Sequence, residues 1–205
     1  MNTDLQTEQI ILNAARALFT RKGFAAVRLQ DIADEAGINR TLLHYYFRTK
    51  EKLFEKIFTE AIEQVFPNVQ EILNSNEPLL SKIEQVISHY IDFAIAHPYL
   101  PTFVIHELNQ NPDKIPAMLG NMKQKPELGK FMMEIQHAAQ SGIIRPIQPI
   151  HLLINIISLC LFPFIAKPMM HAILGITDPV YAAFIAERKK VVTETIINSI
   201  KIPNS

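Results

Sequence analysis

Residues 29–48, LQDIADEAGINRTLLHYYFR, place one glycine between two short segments with apolar side chains at helical spacing. Counting Leu29 as the first position, Ile32 and Ala33 fall fourth and fifth, Ala36 to Ile38 eighth to tenth, and Leu43 and Tyr46 fifteenth and eighteenth. That register suits two helices that cross. Ala33 is small where they meet, and Gly37 takes the left-handed backbone of a tight turn without a Cβ penalty. Such a turn sets the second helix at a steep angle, free to enter a DNA major groove.

The rest of the chain supports the same economy of helices. Ile11, Ala14, Ala15, Leu18 and Phe19 predict a first helix from about residue 5 to Lys22, stopped by Gly23. The helix-turn-helix segments span roughly 29–36 and 39–47, the second capped by Asn39. Thr49 caps a fourth helix over 50–66. Beyond Pro67, prolines separate further helical segments near 79–96, 101–110, 115–140, 150–172 and 179–201. Only 6 of 205 residues are glycine and no long stretch alternates like a strand, so the expected fold is all-α. The expected domains are a helix-turn-helix unit over 1–50, a connecting helix over about 50–66, and a larger helical domain over 67–205.

The second helix of the turn motif has two faces. Leu43, Tyr46 and Phe47 lie three and four residues apart and turn inward. Thr41, His44, Tyr45 and Arg48 share another face, where polar-tipped rings can donate to phosphate and pack on sugar. Over 40–56 there are five basic side chains (Arg40, Arg48, Lys50, Lys52, Lys56) against two acids, in a chain whose net charge is zero. A basic patch, if present, is therefore local.

Three stretches, AARALFTRKGF (14–24), DIADEAGI (31–38) and LLHYYFRTKEKLF (42–54), resemble the N-terminal domain of TetR/AcrR-family transcriptional regulators. The resemblance covers residues 7–54. It implies a homodimeric regulator, usually a repressor, whose two N-terminal domains bind palindromic operator DNA while the C-terminal domain binds a small molecule. By matching position, Asn39 and Arg40 open the recognition helix at base and phosphate contacts, and Thr41 and Leu42 follow toward the groove. His44 stands where the family has a phosphate-contacting Tyr. Tyr45 and Tyr46 match a variable and a phosphate-contacting position, and Lys50 matches a lysine that begins the fourth helix. Family members cap the second helix with Ser or Thr; Val27-Arg28 stands there instead. An arginine side chain cannot accept an amide hydrogen, and Arg28 is assigned a reach to phosphate.

In the C-terminal half the expected ligand contacts are polar or soft groups within apolar helices: Tyr90, Tyr99, Phe103, His106, Glu107, Phe131, Met132, His137, Cys160 and Phe164, with His89 and Met133 in the same pool. Each has a plainer role as core, since Met and Phe at helical spacing usually pack. Together they predict an apolar cavity with a few polar groups, suited to an uncharged or amphipathic organic ligand. The segment 150–172 is apolar nearly all round, so it is expected to be covered both by its own domain and by a second copy of the chain. With the segment 179–201 it is assigned to a homodimer interface.

Other classes find little support. No G-x-S-x-G, phosphate-cradling glycine loop or paired-cysteine motif occurs, and His106-Glu107 lacks the second histidine of a zinc-protease helix, Gln110 standing there. No enzyme, metal or cofactor is expected. The single cysteine excludes an internal disulfide. The polar start MNTDLQTEQ is unlike a signal peptide, and LLINIISLCLFPFIA (152–166) is too short and interrupted to cross a bilayer. The expected location is cytoplasmic, away from the membrane. The competing reading is a helical adaptor that binds protein through the 40–56 surface; steep salt dependence of DNA binding discriminates against it.

Overall fold

A computed structural model describes residues 2–110, 112–113, 116–117 and 128–202, with backbone alone at Asn2, Thr3, Val65 and Glu107. The described residues form helices and no strand, as the sequence predicts. In order they are α1 (Asn2–Lys22), α2 (Leu29–Glu35), α3 (Arg40–Tyr46), α4 (Lys50–Asn74), α5 (Leu79–Ala96), α6 (Leu100–Gln110), α7 (Leu128–Gln140), α8 (Pro149–Ile165), α9 (Lys167–Leu174) and α10 (Asp178–Ile200). Of the helix expected over 115–140, residues 115 and 118–127 lie outside the described residues.

The chain divides into two compact units, 1–64 with 97–118 and 65–96 with 119–205. The expected domains cut it differently, since they left 97–118 with the C-terminal half. The reason lies in aromatic side chains. In the first unit Phe54 of α4 stacks on Phe103 of α6 and meets the Phe19, Phe24 and Tyr99 rings at 5.6, 5.0 and 6.1 Å. Phe19, Phe54 and Phe103 are each at most 3% exposed. Periodicity shows that such rings are buried, but not against which neighbours. Ion pairs flank this core: Arg16 of α1 binds Glu60 of α4, and Lys56 bridges Glu60 and Glu8.

The connecting helix does not end at residue 66. It runs through Pro67 to Asn74. Pro67 lies on the exposed side, where water can take the Glu63 carbonyl that loses its amide partner. Val69, Ile72 and Leu73 then carry the apolar stripe into the second unit's core. That core gathers Ile83, Ile87 and Ile91 of α5, Phe131 and Ile135 of α7, Leu152, Ile156 and Cys160 of α8, and Val192 and Ile196 of α10. Within it Lys82, 5% exposed, is the one buried charged residue among those described. Its Nζ lies 2.8 Å from Glu134 Oε2 on α7 and 3.4 Å from the Leu73 carbonyl at the end of α4.

The single helix expected over 150–172 is two, α8 and α9, bent by 65° at Ala166. Pro168 has no amide to give the Phe164 carbonyl, and its ring disfavours helical backbone at the residue before it. Pro163 inside α8 has a different consequence. It deprives the Leu159 carbonyl of an amide, and Arg188 of α10 takes that oxygen with Nε at 3.2 Å and an Nη at 2.9 Å. The Tyr181 hydroxyl donates to the Pro163 carbonyl at 3.2 Å. Pro163 thus opens one acceptor in α8, and side chains of α10 fill it and the Pro163 carbonyl in the last turn. Among the described residues no single helix is long and apolar enough to cross a membrane.

Candidate nucleic-acid interface

The turn that carries the candidate interface is built from backbone bonds. At the end of α2 the Ile38 amide donates to the Ala33 carbonyl at 3.0 Å and the Gly37 amide to Asp34 at 3.2 Å, the paired pattern of a glycine-closed helix end. Gly37 has φ of +67°, which a side chain would strain. Two residues on, the Asn39 side chain accepts the Leu42 amide at 2.8 Å, so its predicted capping role holds. Leu43 is fully buried and Phe47 nearly so, which fixes the inward face of α3.

The opposite face is presented to solvent. Arg40, Thr41, Leu42 and Tyr45 are exposed, Tyr45 to 77%. Arg48 is exposed one turn beyond, and so is Arg28 at the start of α2. His44 is half-buried, and its Nε2 accepts from Arg40 Nε at 3.4 Å. Arg28 makes no side-chain cap; instead its backbone amide donates to the Asp31 carboxylate at 2.8 Å. Its guanidinium is therefore not drawn into the helix end.

Two assigned residues are already engaged. Lys50 Nζ donates to the Phe24 carbonyl at 2.9 Å and the Val27 carbonyl at 3.0 Å, 4.3 Å above the Phe24 ring. The lysine clamps the loop between α1 and α2 rather than pointing away from it. The Tyr46 hydroxyl donates to Asp4 at 2.8 Å, and that carboxylate holds the phenol above its usual pKa. Sequence reading had no signal for either bond, because each joins residues more than twenty positions apart.

The residues expected to line a ligand cavity fall in both units. Tyr99 and Phe103 belong to the ring core of the first unit, and His106 is exposed on the same unit's α6. The Glu107 side chain lies outside the described residues. In the second unit Phe131 and Cys160 are fully buried core with Tyr90 packed against it, Phe164 sits in a separate cluster with Ala94 and Ile185, and His137 is exposed. Met132 borders a groove of about 810 Å³ between α7 and the start of α8. Met133, Gln136, Gln140, Ile147 and Ile150 also line it, with no charged side chain. The signal missed was the pairing of two chain segments across the turn at Gly142. Among the described residues no three His, Cys, Asp or Glu side chains are grouped to hold a metal ion.

Burial pushes two hydroxyl and thiol groups far up, Tyr99 and Cys160 each to about 12. The Tyr99 hydroxyl has no hydrogen-bond partner among the described residues. Both groups favour the folded state only while protonated, so their contribution is complete below about 9, the ordinary thiol value, and is lost as pH rises toward 12. Cys160 is accordingly expected to react with iodoacetamide at pH 8 about a hundredfold more slowly in the folded protein than in urea. Equal rates, read by mass spectrometry, would place the thiol at the surface.

The profile described as "Bacterial regulatory proteins, tetR family" matches residues 11–57, and that described as "Tetracyclin repressor-like, C-terminal domain" matches residues 80–196. The uncharacterized HTH-type transcriptional regulator YhgD of Bacillus subtilis is 23% identical over 148 residues, 71% of this chain and 75% of its own length. The HTH-type transcriptional repressor KstR2 of Mycolicibacterium smegmatis is 25% identical over 137 residues, 66% of each chain. The crystal structure of transcriptional regulator FadR from Bacillus subtilis, in complex with stearoyl-CoA, superposes with a TM-score of 0.64 at 19% identity, covering 93% of this chain and 98% of that one. At that identity the likeness is one of fold.

Proposed function

The chain belongs to the tetR family of bacterial regulatory proteins, transcriptional regulators and not enzymes, and from that premise we propose a homodimeric repressor released from its operator by a small apolar or amphipathic ligand. The observation that carries the DNA-binding half is the exposed face of α3, where Arg40, Thr41, Leu42 and Tyr45 stand clear of a helix fixed by Gly37, Asn39 and Leu43. Arg28 and Arg48 flank it as phosphate contacts. In this reading Asn39, Tyr46 and Lys50 hold the reading helix and its loop, and His44 orients Arg40. The work is cytoplasmic, where the operator is.

Dimerisation is supported by α8, whose side away from the core exposes Ile150, Ile154 and Phe162 by 49, 52 and 56%. Val180 and Val191 of α10 are exposed as well. Apolar side chains at i, i+4 and i+12 form a stripe that an identical helix can cover around a two-fold axis. Two recognition helices would then meet half-sites roughly 34–36 Å apart, or a multiple of that. The ligand class follows from the uncharged groove beside α7, and the stearoyl chain of the ligand held by the fold neighbour FadR is apolar in the same way. Ligand and operator would oppose one another by a coupling of about 1–3 kcal/mol.

Fluorescence anisotropy on DNA flanking the protein's own gene, over a salt series, tests this. Binding is expected with two chains per site and a steep salt slope. Arg40→Ala should weaken it about tenfold or more, or flatten the slope by about one if the contact is to phosphate. Salt-independent binding, or none after selection from random sequences, would favour the protein-binding adaptor.

A further inference from the structure

Asp4 lies at the start of α1, outside residues 11–57 that the family profile matches. Its carboxylate accepts the Tyr46 hydroxyl at 2.8 Å, bridging 42 positions of sequence. Tyr46 in turn meets the ring of Tyr45 edge-on, with centroids 5.3 Å apart and planes at 90°. Tyr45 is the most exposed large apolar side chain among those described. The three residues therefore form a chain of contacts from the first helix to the outermost ring of the reading face.

We infer that Asp4 is a positioning residue for DNA recognition, anchoring the Tyr46 ring so that it serves as a fixed wall for Tyr45. The inference rests on the proposed DNA-binding role of α3. The physical case is one of freedom removed. A tyrosine pinned only by its ring can swing about two side-chain torsions, whereas a hydroxyl bonded to a carboxylate on another helix fixes the ring plane as well. An edge-to-face neighbour then has one favoured orientation. The bond also occupies the Tyr46 hydrogen, so in this arrangement the phenol braces the face and does not itself donate to a phosphate. Asp4 thus acts through Tyr46, and its negative charge beside the reading helix restrains indiscriminate binding to the polyanion.

The readout that separates positioning from bare charge is the ratio of operator affinity to affinity for scrambled DNA. Asp4→Ala is expected to lower that ratio about fivefold, the effect of one lost hydrogen bond, and Tyr46→Phe by at least as much. The double variant should lose no more than Tyr46→Phe alone, because that substitution already removes the Asp4 bond along with the Thr7 contact of the same hydroxyl. Asp4→Asn keeps an acceptor and should hold the ratio within about twofold while tightening binding to both DNAs. Additive losses in the double variant, or an Asp4→Ala ratio equal to wild type, would overturn the inference. A second measurement stands apart from DNA: titration of the tyrosine rings by NMR should show the Tyr46 phenol titrating lower in Asp4→Ala than in wild type. An unshifted Tyr46 would overturn the inference even if operator binding is intact. A shifted Tyr46 in a protein that binds no DNA would instead uphold the contact and remove the function proposed above.

Discussion

Phe54→Ala is expected to destabilise the first unit by about 4 kcal/mol, the largest single effect among the substitutions considered. Phe54 is fully buried and touches four other rings, from α1, the loop after it, the start of α6 and α6 itself. Alanine removes the transfer free energy of the ring and leaves a cavity that four rigid aromatic neighbours cannot close by small rotations. Since the chain has two units, a single unfolding midpoint is an unsafe measure. Hydrogen exchange of α1 and α4 amides in urea reads the first unit directly. Protection there should fall by the full amount, and a loss under about 1 kcal/mol would mean the rings are not packed as a hub.

Glu134→Ala should cost about 3 kcal/mol in the second unit, whereas Lys82→Met should be close to neutral. The asymmetry follows from which charge is buried. The Lys82 side chain is 6% exposed and that of Glu134 is 35% exposed. Without Glu134 the ammonium keeps only a carbonyl 3.4 Å away, too far to repay its desolvation. Water can reach the Glu134 side, so the cost falls at the lower end for a broken buried pair. Methionine at 82 fills much the same volume, and the freed carboxylate turns to solvent. Urea denaturation of the two variants and their combination decides it. If Lys82→Met proves the more damaging, the pair is a net stabiliser and not merely a satisfied burial.

The two predictions mark where sequence reading succeeds and where it stops. Gly37, Asn39 and Leu43 act within six residues of one another, and each does what its local chemistry dictates. The helix-turn-helix was therefore legible, as were the bounds of α5 and the inward face of α3. Phe54, Tyr99 and Phe103 announce burial by their spacing, but their mutual contact depends on how α6 returns to α1 and α4. Lys50 is assigned to DNA by its match to the family's lysine at the start of the fourth helix; two carbonyls of a distant loop hold it. Pro67 read as a stop because proline in the middle of a helix usually costs about 3 kcal/mol. An exposed position, with apolar residues continuing in phase beyond it, outweighed that penalty. Phe131 and Cys160, chosen as soft groups within apolar helices, are fully buried core of the second unit, because chemical type says nothing about which side of a helix faces which neighbour.

Pro163 and Arg188 form a lock whose two halves make sense only together. The imino acid leaves the Leu159 carbonyl open, and the guanidinium from α10 fills it. Restoring an amide at 163 would heal α8 as an isolated helix, yet it would set that amide in competition with the arginine for one oxygen. Losing the proline would free the arginine, whereas losing the arginine alone would leave the carbonyl unsatisfied. The pair is thus one unit written at two distant sites, and substitutions of Pro163 and Arg188 are expected to be coupled rather than additive.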